Sequence, residues 1–296
     1  STYKVKAELV NAASEPAYHG ASQSRRFVGF GGSNSGANAA LLGSLETIRN
    51  RSRHGYRNSP LIKQGIRSNV VNTVGTGAIA RFHSSNEKFN EDFRKIFDAF
   101  TKECDPEGIL NLYSQQAMID RARRVSGEVF VRRRKRSMSS GLTIPLQIQI
   151  LEADYVPLHL EEVRSNGNKI KAGIEFNRLG QRVAYWMYKS HPGEYERDAD
   201  LANFIRVPAN DVIHCFVPER PGQIRGEPDA TASLLKVKTY ESYDDAELQR
   251  KESRSGYTGM LIRKDFDEAD FSYNPFDGKP IYDDGDGEGD DSAQVR

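Results

Sequence analysis

Apolar residues in the first part of the chain recur at helical spacing. In "NSPLIKQGIRSNVVNTVGTG", Leu61, Ile62, Ile66 and Val70 step by three and four, which puts one apolar face on a helix. Ser59 is placed to cap that helix, Pro60 to fill its first position, and Gly75 and Gly77 to end it. Asn38 is a candidate cap for a preceding helix, "AALLGSLETIRNRSR". "NEKFNEDFRKIFDAFTKEC" lines up Phe89, Phe93, Ile96, Phe97 and Phe100 with charges opposite, the pattern of a helix that turns an aromatic stripe to the core. "NLYSQQAMIDRARRVSG" predicts a fourth helix, stopped at Gly127.

From there the period drops to two. "GEVFVRRR" predicts a short strand. In "GLTIPLQIQIL", Leu142, Ile144, Leu146, Ile148 and Ile150 alternate with polar positions, and Pro145 marks an edge strand. "SNGNKIKAGIEFNRLGQRVAYWMY" predicts two strands, the first alternating through Ile170, Ala172, Ile174 and Phe176, with "NRLGQ" as the turn. "VPANDVIHCFVP" predicts one more. The connections are short, so the pairing is antiparallel.

The chain then meets "PERPGQIRG". Pro218 and Pro221 restrict φ, while Gly222 and Gly226 permit tight bends. Arg220 and Arg225 add charge to these bends. A helix follows over about 230–254, with Leu234, Val237, Tyr240, Tyr243 and Ala246 recurring every three residues. The pattern predicts an α+β chain in six parts: a flexible arm over 1–36, helices over 37–126, antiparallel strands over 127–217, a joint over 218–229, a long helix over 230–262, and an acidic, mostly disordered tail over 263–296.

Composition adds charge asymmetry to this picture. The 296 residues carry a net charge of only +1, yet eight Lys/Arg against one acid, Glu128, lie between Arg121 and Arg136. Eleven Asp/Glu against one Lys lie between Asp265 and Asp291. The run Arg132, Arg133, Arg134, Lys135 and Arg136 reads either as a polyanion contact or as a solvated hairpin tip. Cys104 and Cys215 sit in apolar patterns without metal-ligand spacing and read as buried free thiols of a protein made in a reducing compartment. No apolar run reaches the ~18 residues of a membrane span, and the first twenty residues lack the apolar stretch of a signal peptide. The absence of Met at the start is read as removal of the initiator.

Catalytic chemistry leaves little trace. "GFGGSNSGANAA" fails the dinucleotide fingerprint because position 34 is Asn and no strand precedes it. His19, His54, His83, His159, His191 and His214 show no zinc spacing, and His214 beside Cys215 on a strand points to the opposite face, so it reads as a core histidine. "DDGDGEGDD" lacks the flanking helices of a calcium hand. Neither a nucleophile elbow nor a phosphate loop is present. No catalytic residue, metal or cofactor is expected.

Six segments in order carry a family resemblance. They are "SGANAALLGSLETIRNRSRHGYRNSPLIKQGIRSNVVNTVGTG", "SGEVFVR", "IPLQIQILEADYV", "NKIKAGIEFNRLGQRVAYWM", "RVPANDVIHCFVPERPGQIRGEPDATASLL" and "YDDAELQRKESRSGYTGMLI". Together, over about residues 30–265, the chain resembles the lambda-type portal proteins of tailed bacteriophages. The resemblance implies a structural subunit with no catalytic centre. It implies a ring, usually of twelve copies, at one capsid vertex of the virion, assembled in the host cytoplasm without a membrane. It further implies passage of double-stranded DNA, docking of the terminase large subunit and then of head–tail joining proteins, and contact with the major capsid or scaffold protein. On this pattern, residues up to Val217 form the wing, Pro218–Gly226 swings the chain into the first stem helix, and the acidic segment leads toward the clip. Family members run on for a second stem helix, channel loop and crown, which this chain is expected to lack.

DNA contact is then expected of the Arg132–Arg136 run and of Lys236 and Lys238 on the stem-like helix, and contact between copies of Pro218, Arg220, Pro221, Gly222, Arg225 and Gly226. The alternatives are a metal-dependent nucleic-acid-processing enzyme and a prophage remnant of a portal that does not assemble.

Overall fold

The computed structural model describes residues 25, 29, 31–32, 34–194 and 204–255. The chain divides into two compact units, residues 1–238 and 239–296. Most of the expected arm, the end of the long helix beyond 255, and the acidic tail lie outside the described residues.

Among the described residues, four helices open the first unit: α1 (Ala37–Asn58), α2 (Pro60–Val74), α3 (Glu87–Glu103) and α4 (Leu112–Ser126). In α1 the buried positions are Leu41, Leu45, Arg49 and Ser52, one face at helical spacing that includes a charge. Asn38 is no cap: Gly36 holds that position, and Asn38 lies inside the helix, where its side chain reaches the backbone of residues 222 and 224. The Ser59 hydroxyl does cap α2, accepting from the Ile62 amide at 3.4 Å, with Pro60 in the first turn. Ile62, Ile66 and Val70 are buried, whereas Leu61 is exposed, because it lies ~100° round the helix from Ile62. Asn86 and Asn111 cap α3 and α4 through their side-chain oxygens. Gly127, at φ 86°, stops α4 in the left-handed region.

Among the described residues, eight strands follow in two antiparallel sheets. The three-stranded sheet has the order β2 (Leu146–Glu152), β1 (Glu128–Lys135), β8 (Val212–Phe216). The five-stranded sheet runs β3 (Glu162–Val163), β4 (Lys169–Lys171), β5 (Ile174–Phe176), β6 (Arg182–Met187), β7 (Ile205–Pro208). Both contribute to one core: Phe130 and Leu151 from the first sheet meet Ile174, Tyr185, Met187 and Val207 from the second. A second cluster, Ile62, Ile66, Val70 and Val125 with Ala230, joins α2 and α4 to the segment ahead of α5 (Leu234–Ser255). The expected α+β class, with N-terminal helices, antiparallel sheets and a further helix, is the one observed.

Several elements differ from the pattern. β2 begins at Leu146, so Leu142 and Ile144 fall outside it; Pro145 immediately precedes an edge strand. Its alternation does not sort buried from exposed. Leu151 enters the shared core, while the opposite side is half-covered, with the Ile148 amide and carbonyl bonded to Cys104 and Gln115. "KIKAGIEF" is a hairpin, with Ala172 (φ 47°) and Gly173 (φ 77°) forming its two-residue turn. An alanine at positive φ gives no turn signal in sequence. Here the Ala172 carbonyl is held by Arg225 at 2.8 Å. "VPANDVIHCFV" breaks at Ala209–Asp211 into β7 and β8, which belong to different sheets. The arginine run is no hairpin tip: Arg132–Lys135 lie in β1, the central strand, paired with β2 along its length. α5 starts at Leu234, four residues later than expected, and buries none of its residues fully.

Candidate functional site

The most deeply buried charges converge on Glu128. This residue opens β1 directly after Gly127, and β-strand alternation sets it two residues before Phe130 on the same face. Its Oε1 accepts from Arg49 of α1 at 2.7 Å and from Arg225 at 2.7 Å; its Oε2 accepts from the Gly226 amide at 3.0 Å. His214 of β8 lies 2.8 Å from the same Oε2 through Nε2, stacked between Phe130 and Phe216. A carboxylate only accepts, so Nε2 carries the proton, and Nδ1 is buried without a partner. Burial pushes the His214 pKa down despite the neighbouring carboxylate, which keeps the ring neutral. Burial alone raises the pKa of Glu128, but Arg225, His214 and Arg49 outweigh it and hold the carboxyl well below the usual range.

Arg225 has a second set of partners. Its terminal nitrogens donate to the carbonyls of Val156 (3.1 Å), Ala172 (2.8 Å) and Ala153 (3.1 Å). One guanidinium therefore ties the "PERPGQIRG" segment to α1 by way of Glu128, to β1, and to the β4–β5 turn. Its side chain is completely buried, so it is not available to a neighbouring copy or to DNA. Gly226 lies against Gly127 so closely that a Cβ on it would overlap the Gly127 carbonyl and come 2.7 Å from the Phe216 Cβ. Between Pro218 and Gly226 the chain is braced from within. The Gln223 side chain accepts from the amides of Glu219 (2.9 Å) and Arg220 (3.2 Å) and donates to the Arg225 carbonyl (2.8 Å). Asn38 holds the Gly222 carbonyl and the Ile224 amide, each at 2.9 Å. Arg220 donates to the Ser35 carbonyl at 3.3 Å.

The expected DNA contacts are dispersed. Strand alternation splits the basic run between two faces. Arg133 bonds the Asn210 carbonyl (2.6 Å) and Asp211 (3.1 Å), Arg134 bonds Gln149 (3.1 Å), and Arg136 bonds Gln147 (2.7 Å). Arg132 is half-buried, and Lys135 stays exposed with Asp211 4.0 Å away. Lys236 and Lys238 are exposed at the start of α5. Arg123 and Arg124 grip Asp229 at 3.3 and 3.0 Å and so fasten the segment after Gly226 to α4. Cys104 is buried and Cys215 half-buried, both as free thiols.

Among the described residues, one group has metal-ligand geometry: Glu152, Asp154 and His191. A cation already stands there. Arg53 pairs with Asp154 and lies 3.1 Å from Glu152, while His191 is 3.4 Å from Glu152. The arrangement is an ion-pair cluster closing α1 onto the end of β2. Among the described residues, no helix is long and apolar enough to cross a membrane.

The α3 stripe departs furthest from expectation. Phe100 is buried, but Phe89, Phe93 and Ile96 are 56%, 39% and 43% exposed. Phe82 covers only part of the stripe, with ring centroids 4.4 Å from Phe93 and 5.4 Å from Phe97.

Among the described residues, buried charges bind the chain's own layers together and one apolar helix face is left open. The chain belongs to the lambda family of phage portal proteins: the family model "Phage portal protein, lambda family" matches residues 23–296. It is also similar to the probable portal protein of Halomonas phage phiHAP-1, with 29% identity over 242 residues that cover 78% of this chain and 46% of that protein. The chain thus spans about half the length of the curated relative it matches. The family is one of structural phage proteins, in agreement with the expectation of no catalytic centre.

The Glu128 centre was missed in the sequence pattern. Its signals are a lone acid opening an apolar strand, a histidine inside another, and an arginine set between Ile224 and Gly226.

Proposed function

We propose that this chain is a subunit of a portal ring at one vertex of a phage capsid, located in the virion, through which double-stranded DNA is packaged and ejected. The family membership supports this reading, and the open face of α3 carries it. Phe89, Phe93 and Ile96 form an apolar surface that a lone chain leaves in water, and a neighbouring copy in a ring covers it. The braced Pro218–Gly226 segment supports the role of a rigid joint, because Gln223 holds it from within and Asn38 of α1 holds the backbone of Gly222 and Ile224. Arg133, Lys135, Lys236 and Lys238 are exposed cations of the expected set, and with Arg133 paired to Asp211, Lys135, Lys236 and Lys238 suit contact with a DNA backbone. Scattered single charges hold a sliding duplex weakly, which suits a channel. The terminase large subunit, a head–tail joining protein and the major capsid or scaffold protein complete the proposed set of partners.

Negative-stain imaging and native mass spectrometry of the full chain test the reading. Closed rings are the expected result, and Phe93→Asp disperses them without unfolding the subunit. A strictly monomeric chain, or metal-dependent cleavage of DNA, overturns it.

A further inference from the structure

We propose that a cleft beside the Pro218–Gly226 segment is a docking site for the acidic segment 265–291 of a second copy of this chain. The proposal rests on the ring reading for the presence of that copy.

The cleft follows from strand alternation. Ile170 is buried, so Lys169 and Lys171 stand on the other face of β4, and Lys169 is in register with Phe176 of β5. The face that carries Ile174 and Tyr185 into the shared core therefore continues at its margin as two lysines. The turn after β5 adds Arg178, whose Nε would lie 2.6 Å from a Cβ on Gly167, so the guanidinium covers that glycine. Phe176 lines the cleft, and Gly222 and Ile224, held in place by Asn38, line it from the other side. The cleft is open to solvent and has a volume of about 440 Å³.

Three cations line this cleft and no acid does. Among the described residues, Lys169, Lys171 and Arg178 form no ion pair. Glu175, the nearest acid in sequence, is engaged by Arg206, Asn168 and Trp186. Glu161 lines the neighbouring hollow with Lys171, and Arg182 and Arg220 extend the positive charge past Gly222, offset in part by Glu219. The field favours an anion.

Charge and shape choose the occupant. A duplex is far wider than a cleft of this volume, whereas a single extended chain fits, with one apolar side chain set on Phe176. Segment 265–291 has eleven acids against one lysine, and Phe266, Phe271 and Phe276 interleave them, so it offers both the charge and the anchor. Pairing with rim lysines fixes register and speeds encounter; the buried ring supplies the affinity.

The test is an anisotropy titration of the full chain with a fluorescein-labelled synthetic peptide of residues 265–291. The expected result is saturable binding that weakens with salt and falls at least tenfold in a Lys169→Glu, Lys171→Glu, Arg178→Glu variant whose thermal melt matches the parent. Absence of saturable binding, or binding unchanged in the variant, overturns the proposal. So does a labelled DNA oligonucleotide that binds through the same three residues while the peptide does not. Peptide binding does not require a ring, so rings without peptide binding sink this inference and leave the ring reading standing, whereas peptide binding by a strict monomer sinks the ring reading and, with it, the second copy as the source of the segment.

Discussion

The Glu128 carboxylate and the Arg225 guanidinium lie 2.6 Å apart with neither side chain exposed to solvent. The two residues are 97 positions apart, so the contact joins the first strand to the segment that leaves the last one. A charge taken fully out of water is tolerated only when every lone pair and proton finds a partner, and this pair meets that condition through Arg49, His214, the Gly226 amide and three backbone carbonyls.

Removing one partner therefore strands the other. Arg225→Met is expected to destabilise the first unit by about 3–5 kcal/mol, because Glu128 remains buried with less compensation and three carbonyls lose a donor. Arg225→Lys does not rescue it, since an ammonium cannot span the carboxylate and those carbonyls together. Urea unfolding curves measure both; a loss below about 1 kcal/mol contradicts the central role of the pair.

Two glycines of the same segment are expected to behave differently. Gly226→Ala drives a methyl group into the Gly127 carbonyl and the Phe216 side chain, both fixed, and the yield of soluble folded protein collapses. Gly222→Ala meets open space and suffers only from its φ of 80°, a cost of about 1–2 kcal/mol. The comparison of melting temperatures separates steric contact from backbone strain.

Acid stability should depend on Glu175. Hydrogen bonding from Arg206, more than offsetting burial and aided by Asn168 and Trp186, lowers its pKa from 4.5 to about 2. A carboxylate depressed in this way stabilises the fold above pH 4.5, and that contribution is lost as the pH falls toward 2. Glu175→Gln is expected to be less stable than the parent at pH 7 and to lose stability less steeply between pH 4.5 and 2. Urea midpoints of parent and variant across that range give the difference, in which the share of Glu128 cancels.

DNA binding, if it follows the proposed ring, should be weak and non-specific. Lys135→Ala and Lys236→Ala are each expected to lower affinity for any duplex equally and to reduce the salt slope by about one. A sequence-dependent effect in filter-binding or anisotropy titrations would exclude a channel role.

Some of this was legible in the order of residues. The cap at Ser59 is a local device: its side-chain oxygen accepts from an amide three residues on, and no distant group takes part. Gly127 stops α4 for an equally local reason. Asn38 was misread because the same side chain that caps a helix also holds a loop, and a segment 184 residues away claimed it. The alternation through Ile170, Ala172, Ile174 and Phe176 does not mark one face: the turn at Ala172 and Gly173 puts Ile170 on one side of the sheet and Ile174 and Phe176 on the other, and an alanine at positive φ, its carbonyl bonded by Arg225, gives no local sign of that turn.

By itself the sequence determined the α+β class, the cap at Ser59 and the two periods, because these depend on groups within a few residues of one another. Six collinear segments also carried the family. Only the tertiary structure decided which charges are buried, which apolar faces stay open and which strands share a sheet. Arg225, Arg133 and Lys169 are alike as letters, and the α3 aromatics look like any core stripe. Their roles differ because burial and partnership depend on chain segments brought together from far apart, and that information exists only once the layers have closed.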